Sequence, residues 1–315
     1  MPEHSPKPFA EELVADEHGA GVPLAPAQVG FSAIEAGPSH APRGKHLGIA
    51  AWIAIAFLAL VIGSAILAPV LPIPDPNNDV FPGLNRAGPS LDHLFGVDAN
   101  GRDVLARVIW GGRNSMAIGV FAIVIGFIIG GIFGLISGYF RGKVGTALGS
   151  VTDVLLAFPP LVLALAITTN LDRTLFYVTL ALAIVSVPVL ARIARASTLS
   201  WSEREFVLAS RAQGAKHGRV MIREVLPNIL PAMFSIALLG IAVVIVAEAG
   251  LAILGAGVKP EVVTWGNIIS AGRTDLRDAP QLVLAPSFVI FGVVLSLNYL
   301  GDVVRARFDV RESAL

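Results

Sequence analysis

Cysteine is absent from the 315-residue chain, and charged residues are scarce. The lack of cysteine excludes disulfides, thiol catalysis and cysteine-ligated metal sites. Lys, Arg, Asp and Glu together make up 15% of the residues, 54% are hydrophobic, and the formal net charge is zero. The high apolar fraction excludes an ordinary soluble domain. The zero net charge means that the chain lacks the overall positive charge typical of nucleic-acid-binding proteins.

Charge is missing altogether from six apolar runs of 18 to 27 residues. At 1.5 Å per residue, about 20 apolar residues cross a hydrocarbon core of ~30 Å as a helix, and lipid favours helices because the backbone must satisfy its own hydrogen bonds. The sequence therefore predicts an all-α integral membrane protein with six transmembrane helices. The predicted spans lie at about 47–71, 114–140, 148–171, 174–193, 228–250 and 279–303. Only Asp172 and Arg173 separate the third from the fourth, which predicts a tight helical hairpin.

Lys and Arg are distributed unevenly between the two predicted sides. Six spans put both termini on one side, which receives 14 of the Lys and Arg residues from Arg43 onward, against eight on the other. The positive-inside rule predicts a multi-pass protein of the cell membrane with both termini in the cytoplasm. Residues 1–45 have seven Pro, six acidic residues and no apolar run, which predicts a disordered cytoplasmic tail and no signal peptide. The transmembrane domain is predicted at 46–311, with a short tail at 312–315.

Glycine recurs at every fourth position of the second span, at Gly126, Gly130, Gly134 and Gly138. This spacing places the four glycines on one helix face, where another backbone can approach closely. We predict helix packing by this face. Packing within the chain is favoured over a sliding or mating contact with a second subunit, because small residues at this spacing are common in membrane helices.

Two acidic residues, Asp153 and Glu248, stand at the margins of predicted spans. Acids in membranes often relay protons, but neither residue has an obvious relay partner in the sequence. Structural capping or solvation at the interface is therefore favoured over proton coupling.

The loop between the first two spans contains "DANGRD". It lacks the Gly at position six and the Glu at position twelve that a calcium-binding EF-hand loop requires. We instead predict a turn at Asn100–Gly101, followed by a short helix along the membrane surface. In that helix Asp103 and Arg107 would form an exposed i, i+4 pair.

The segment from Arg192 to Pro231 holds seven of the 23 Lys and Arg residues. "SEREFVLASRAQ" is predicted to form a helix that ends at Gly214, and "AKHGRVMIREV" a second helix that leads to Leu226–Pro227. The result is a helix-turn-helix elbow on the cytoplasmic side. DNA binding has no support from a separate globular domain, so docking of a protein partner is the favoured use.

Within this elbow, Ala209, Ser210, Gly214, Leu226 and Pro227 match the spacing of the "EAA" loop. The chain thus resembles permease subunits of ABC importers. "HLFGVDANGRDVLARVIWGGR", "LGAGVKPEVVTWGNII" and "LNYLGDVVRARFDV" are similar to signatures of the second permease subunit in the dipeptide, oligopeptide and nickel branch. The resemblance covers about residues 46–311.

The sequence departs from the family pattern at three positions. Leu208 stands where the loop motif has Glu, and Ser210 stands where it has its second Ala. Val310 stands where the closing motif has Pro. These departures concern contact details within the family.

The resemblance implies the type I ABC importer permease fold, with an elbow that docks on an ATP-hydrolysing subunit. It assigns the docking contact to Glu205, Leu208, Ala209, Ser210, Arg211, Gly214, Ala215 and Lys216. The chain lacks a G-x-x-x-x-G-K-[ST] phosphate loop, so no catalytic residue, bound cofactor or metal is expected in it. ATP and Mg²⁺ are expected on the partner.

The implied partners are a homologous second permease subunit, two ATP-binding subunits, an extracytoplasmic substrate-binding protein and membrane lipid, without nucleic acid. The implied function is to form half of a pathway for di- or oligopeptides; the pattern singles out no substrate-binding residue. An ion-driven secondary transporter and a membrane-embedded enzyme are the alternatives. Either would be favoured by acid–base or His clusters within the spans, but all six His lie outside them.

Overall fold

The computed structural model describes residues 48–312, with side chains as far as residue 307. The predicted tail at 1–45, and 313–315 of the predicted C-terminal tail, lie outside this range. Ten α-helices follow one another along the described chain: α1 Ile49–Leu67, α2 Val104–Tyr139, α3 Lys143–Ala157, α4 Pro160–Thr169, α5 Leu175–Ser202, α6 Glu205–Ala212, α7 His217–Val220, α8 Leu226–Ile253, α9 Trp265–Gly272 and α10 Gln281–Glu312. A π-helical turn, Met221–Val225, joins α7 to α8. Residues 48–312 contain no β-strand, so the predicted all-α class is confirmed.

Five helices are long and apolar enough to cross a membrane: α1, α2, α5, the continuous helix His217–Ile253 and α10. A sixth candidate is the pair α3 and α4, which is bent by 84°. The predicted third span, 148–171, is therefore not one straight helix. Pro159 and Pro160 follow the last residues of α3, and proline cannot continue a helix because it lacks the N–H and clashes with the preceding turn. Pro160 instead begins α4, where its fixed φ suits the first helical position.

The second span begins ten residues earlier than the prediction, because the expected short surface helix is the first part of α2. Asp103 caps this helix by accepting a hydrogen bond from the Ala106 N–H at 2.7 Å. The predicted exposed pair between Asp103 and Arg107 is wrong, since both side chains are buried. Asp103 contacts His93 at 2.8 Å, while Arg107 donates to the Pro76 carbonyl at 2.6 Å. These partners come from the preceding loop, which a local spacing rule does not take into account.

The glycine ladder of α2 faces α5 of the same chain. A Cβ atom added at Gly130 would lie 2.6 Å from the Val187 carbonyl oxygen, and one added at Gly138 would lie 2.7 Å from the Thr198 Cβ. At Gly126 the nearest atom would be the Ser186 Cβ, at 3.0 Å. The two backbones therefore pack at distances that only glycine allows, and the ladder is covered from within the chain.

Candidate functional site

The elbow consists of α6, the turn at 213–216 and α7. Helix α6 ends in a Schellman motif: the Gly214 N–H donates to the Arg211 carbonyl at 2.9 Å, and the Ala215 N–H donates to the Ser210 carbonyl at 3.1 Å. Gly214 has φ +83°, in the left-handed region that disfavours residues with a Cβ. The chain reverses here because Gly214 can adopt this conformation.

Apolar side chains fix the elbow to the ends of the long helices. Val207 of α6 and Val220 of α7 are completely buried, in one cluster with Leu135 and Tyr139 of α2 and Ile229 of α8. Burying a valine side chain in this way stabilises the contact by roughly 1.5–3 kcal/mol relative to exposing it. The elbow therefore lies directly against the spanning helices.

Tyr139, the last residue of α2, joins both arms of the elbow by polar contacts. Its hydroxyl accepts a hydrogen bond from Arg211 Nε at 3.2 Å, and it lies 3.1 Å from His217 Nδ1. The Arg211 guanidinium also lies 4.5 Å from the centre of the tyrosine ring, a distance at which the cation is attracted to the ring face. Tyr139 and His217 were not among the residues that the sequence singled out, because their contact depends on how the elbow folds back.

The outward face of α6 is centred on Ala209. This residue follows Val207 by two positions, about 200° around the helix, so it points away from the buried side. Phe206 and Leu208 flank it with exposures of 43% and 50%. A small residue between two exposed apolar side chains forms a shallow surface that another protein could cover.

The eight residues predicted for docking fall into two groups. Five are exposed: Glu205, Leu208, Ala209, Gly214 and Lys216. Three are half-buried and turn partly toward the bundle: Ser210, Arg211 and Ala215. The exposed apolar residue Phe206 also lies on the elbow, and exposed Ile222 lies in the π-helical turn that follows it. Large apolar side chains in a charge-rich segment are the signal that could have identified both residues.

The elbow leads without a break into a spanning helix. α7, the π-helical turn and α8 form one helix, His217–Ile253. Just after the π-helical turn, the Asn228 side chain donates to the Glu224 carbonyl at 2.6 Å, a contact within the same helix. The second arm of the elbow and the spanning helix are therefore parts of one helix.

At the opposite end of the bundle, Glu248 of α8 is completely buried. Solvation of this residue at the interface, which the sequence suggested, is therefore wrong. Its Oε1 accepts a hydrogen bond from the Thr264 hydroxyl at 2.8 Å, and Thr264 is the N-cap residue of α9. Asp153 is different, because it is exposed and forms an ion pair with Arg192 at 2.8 Å.

Within residues 48–312, no three His, Asp or Glu side chains come together in a way that could hold a metal ion. In the "DANGRD" turn, the Asp98 carboxylate is bound by neighbouring groups of the protein. The Asp98 side chain accepts hydrogen bonds from the N–H groups of Asn100 and Arg102 at 2.8 and 3.0 Å, and it pairs with the Arg102 guanidinium at 2.8 Å. Its oxygens are therefore engaged by the loop itself.

Comparison with known proteins gives the family. Residues 130–313 match the family described as "Binding-protein-dependent transport system inner membrane component". The chain is 38% identical over 245 residues to the dipeptide transport system permease protein DppC of Alkalihalophilus pseudofirmus, covering 78% of this chain and 80% of that protein. It is 34% identical over 266 residues to the glutathione transport system permease protein GsiD of Pectobacterium atrosepticum, covering 84% of this chain and 87% of that one.

Two solved structures share the fold. One is the inward-facing MetNI methionine ABC transporter, with a TM-score of 0.53 at 20% identity over 64% of this chain and 95% of that one. The other is an amino acid ABC transporter with histidines, with a TM-score of 0.51 at 17% identity over 64% and 94% of the two chains. With its apolar helices, its elbow and these matches, the chain belongs to the family of inner membrane components of binding-protein-dependent transport systems.

Proposed function

We propose that the chain is a permease subunit of an ATP-driven importer and forms half of a pathway for short peptides. The names of its relatives support this substrate class, because dipeptides and glutathione are both short peptides. The other half of the pathway comes from a homologous second permease subunit. An extracytoplasmic binding protein delivers the substrate.

The elbow end of the bundle faces the cytoplasm in this proposal, and so do both termini. The distribution of Lys and Arg supports this orientation, since from Arg43 onward the side that carries the elbow holds 14 of them against eight. The elbow is then accessible to proteins of the cytoplasm, while α9 and the loop before α2 lie on the outer side.

Two ATP-binding subunits supply the energy, and they carry the ATP and Mg²⁺. The chain has no phosphate-loop motif, so the energy enters through a contact with these partners. The outward face of α6 around Ala209 is the contact surface, and the exposed docking residues Glu205, Leu208 and Lys216 lie around it. The arms of the elbow then transmit movement to α2 through Tyr139 and to α8 through the continuous helix.

The observation that carries this proposal is the position of Ala209 opposite the buried Val207. One side of α6 packs against the bundle through Val207. The opposite side, around Ala209, is apolar and exposed. A hydrophobic surface of this kind is typical of a contact between proteins.

The test is co-purification of the chain with ATP-binding subunits produced together with it. Ala209→Asp places an unpaired charge in the contact, so we expect these subunits to be lost while the amount of chain in the membrane is unchanged. The control is Thr146→Asp on α3, an exposed position outside the elbow. Full retention of the ATP-binding subunits by Ala209→Asp, with normal uptake of a labelled dipeptide, would contradict the docking role.

A further inference from the structure

Glu248 is a buried carboxylate in the middle of apolar helices. It lies near the end of α8, and its exposed fraction is 0%. Burying a carboxylate is costly unless polar groups stabilise it, so the surrounding groups indicate its role.

Those groups belong to the start of α9. The Thr264 hydroxyl donates to Glu248 Oε1 at 2.8 Å, and it accepts from the Asn267 N–H at 3.0 Å. Oε2 lies beside Gly266, where an added Cβ would come within 3.0 Å of it. The carboxylate thus lies against the first turn of α9, the end at which the helix dipole is positive.

The same turn is also attached to α2. The Trp265 N–H donates to Ser115 Oγ at 3.0 Å, and its indole Nε1 donates to the Val108 carbonyl at 2.9 Å. The start of α9 therefore lies at a junction of three helices. Its link to α2 is made by Trp265, and its buried polar link to α8 is made by Glu248.

Glu248 and the elbow lie on one helix. His217–Ile253 has 37 residues, a length of ~55 Å at 1.5 Å per residue. Its first residue, His217, belongs to the elbow and contacts Tyr139 at the end of α2. Glu248 lies five residues before the end of the same helix. One continuous helix of this length connects the two ends of the bundle.

We propose that Glu248 is a positioning residue that clamps the start of α9 onto α8, so that α9 moves with the helix that begins in the elbow. The proposal rests on the importer function, because it is the docked ATP-binding subunits that move the elbow. The surface formed by α9 then changes position when these subunits change state.

Distances between spin labels test the clamp in the full complex with its ATP-binding subunits. The chain has no cysteine, so label pairs can be placed at Ala271 and Ile253, which join α9 to α8, and at Ala271 and Arg113, which join α9 to α2. We expect the α9–α8 distance to stay the same with and without bound ATP, and the α9–α2 distance to change. A change in the α9–α8 distance with a constant α9–α2 distance would overturn the proposal without any clamp variant.

Two variants then break the clamp. Glu248→Gln replaces one of the two carboxylate oxygens at the start of α9 by an NH2 group, which can only donate, and Thr264→Val keeps the shape of the side chain but removes the hydroxyl. Each should broaden the α9–α8 distance distribution and lower uptake of labelled alanyl-alanine about tenfold, while the ATP-binding subunits still co-purify. Thr264→Ser retains the hydroxyl and should behave as the wild type.

The outcomes separate this proposal from the importer function. Normal distances and uptake in both Glu248→Gln and Thr264→Val would overturn the clamp while leaving the docking role intact. Equal losses in Thr264→Ser and Thr264→Val would also overturn it, because the hydroxyl would then have no special role. Loss of the ATP-binding subunits in Ala209→Asp alone supports docking without bearing on Glu248.

Discussion

The two ends of the bundle are built in opposite ways. At the elbow end, α6 leaves Phe206, Leu208 and Ala209 open to the surroundings and is held by Val207 underneath. At the α9 end, Trp265, Thr264 and Glu248 are completely buried, and hydrogen bonds join three helices.

This difference indicates a division of roles. An open apolar face gains stability only when another protein covers it, whereas the buried polar junction forms hydrogen bonds between helices of the same chain. The elbow end is therefore suited to receiving a partner, and the α9 end to holding α9 on α8. Substitutions at the two ends should have different consequences, and four predictions sharpen or break the comparison.

The largest effect is expected at the contact of α2 with α5, which lies between the two ends of the bundle. Gly130→Leu should separate the helices, because the side chain would meet the backbone at the Val187 oxygen and the Ala191 nitrogen, 2.6 and 2.9 Å from an added Cβ. We expect the free energy of unfolding to fall by about 1–3 kcal/mol and clearly less chain to be recovered from membranes. The control is Gly63→Leu in α1, where no atom lies within 4 Å of an added Cβ. Equal recovery of the two variants would show that the ladder does not hold the bundle.

A smaller, local effect is expected at the turn of the elbow. Gly214 and Gly218 both have open space around an added Cβ, but only Gly214 has positive φ. Gly214→Ala should destabilise the elbow by about 1–2 kcal/mol, whereas Gly218→Ala should stabilise α7 by about 0.5–1 kcal/mol. Opposite shifts in co-purification of the ATP-binding subunits would be the measured result. Equal retention of those subunits by both variants would show that the shape of the turn does not matter for docking.

The polar contact between α2 and the elbow should contribute less. Tyr139→Phe keeps the ring for the Arg211 guanidinium but removes the hydroxyl that contacts Arg211 Nε and His217 Nδ1. A hydrogen bond contributes about 0.5–1.5 kcal/mol, so hydrogen exchange in residues 205–220 should become faster by a moderate factor. Tyr177→Phe at the other end of the bundle is the control. Unchanged exchange in Tyr139→Phe would show that apolar contacts alone hold the elbow.

The smallest effect is expected at the exposed pair of Asp153 and Arg192. Their side chains are 64% and 63% exposed, so solvent and salt weaken the interaction. Asp153→Asn should change stability by less than about 1 kcal/mol and leave uptake unchanged. If Asp153→Asn lowered uptake as much as Glu248→Gln, the exposed and the buried acid would be equally important for transport, which would contradict this account.

Hydropathy predicted the helical class and the approximate places of the spans, because it sums over many residues and tolerates local errors. The bend at Pro159 and Pro160 was masked by the apolar residues on both sides. The spacing of Asp103 and Arg107 predicted a surface pair, but their partners lie in the loop before α2.

The site divides in the same way. The Schellman motif at Gly214 follows from a local signal, since glycine is the residue that best adopts positive φ. The contacts of Tyr139 with Arg211 and His217 join residues that are distant in sequence, so no local sequence pattern predicts them. Burial of Glu248 likewise depends on α9 folding back against α8.

Cross-linking at the outward face of the elbow tests the central claim most directly. A photoreactive amino acid placed at Ala209 or at Thr146 would be activated in the assembled complex, and the products identified by mass. The account predicts an adduct of this chain with an ATP-binding subunit from position 209 and none from position 146. Equal adducts from both positions, or none from position 209 in a complex that still imports, would contradict it.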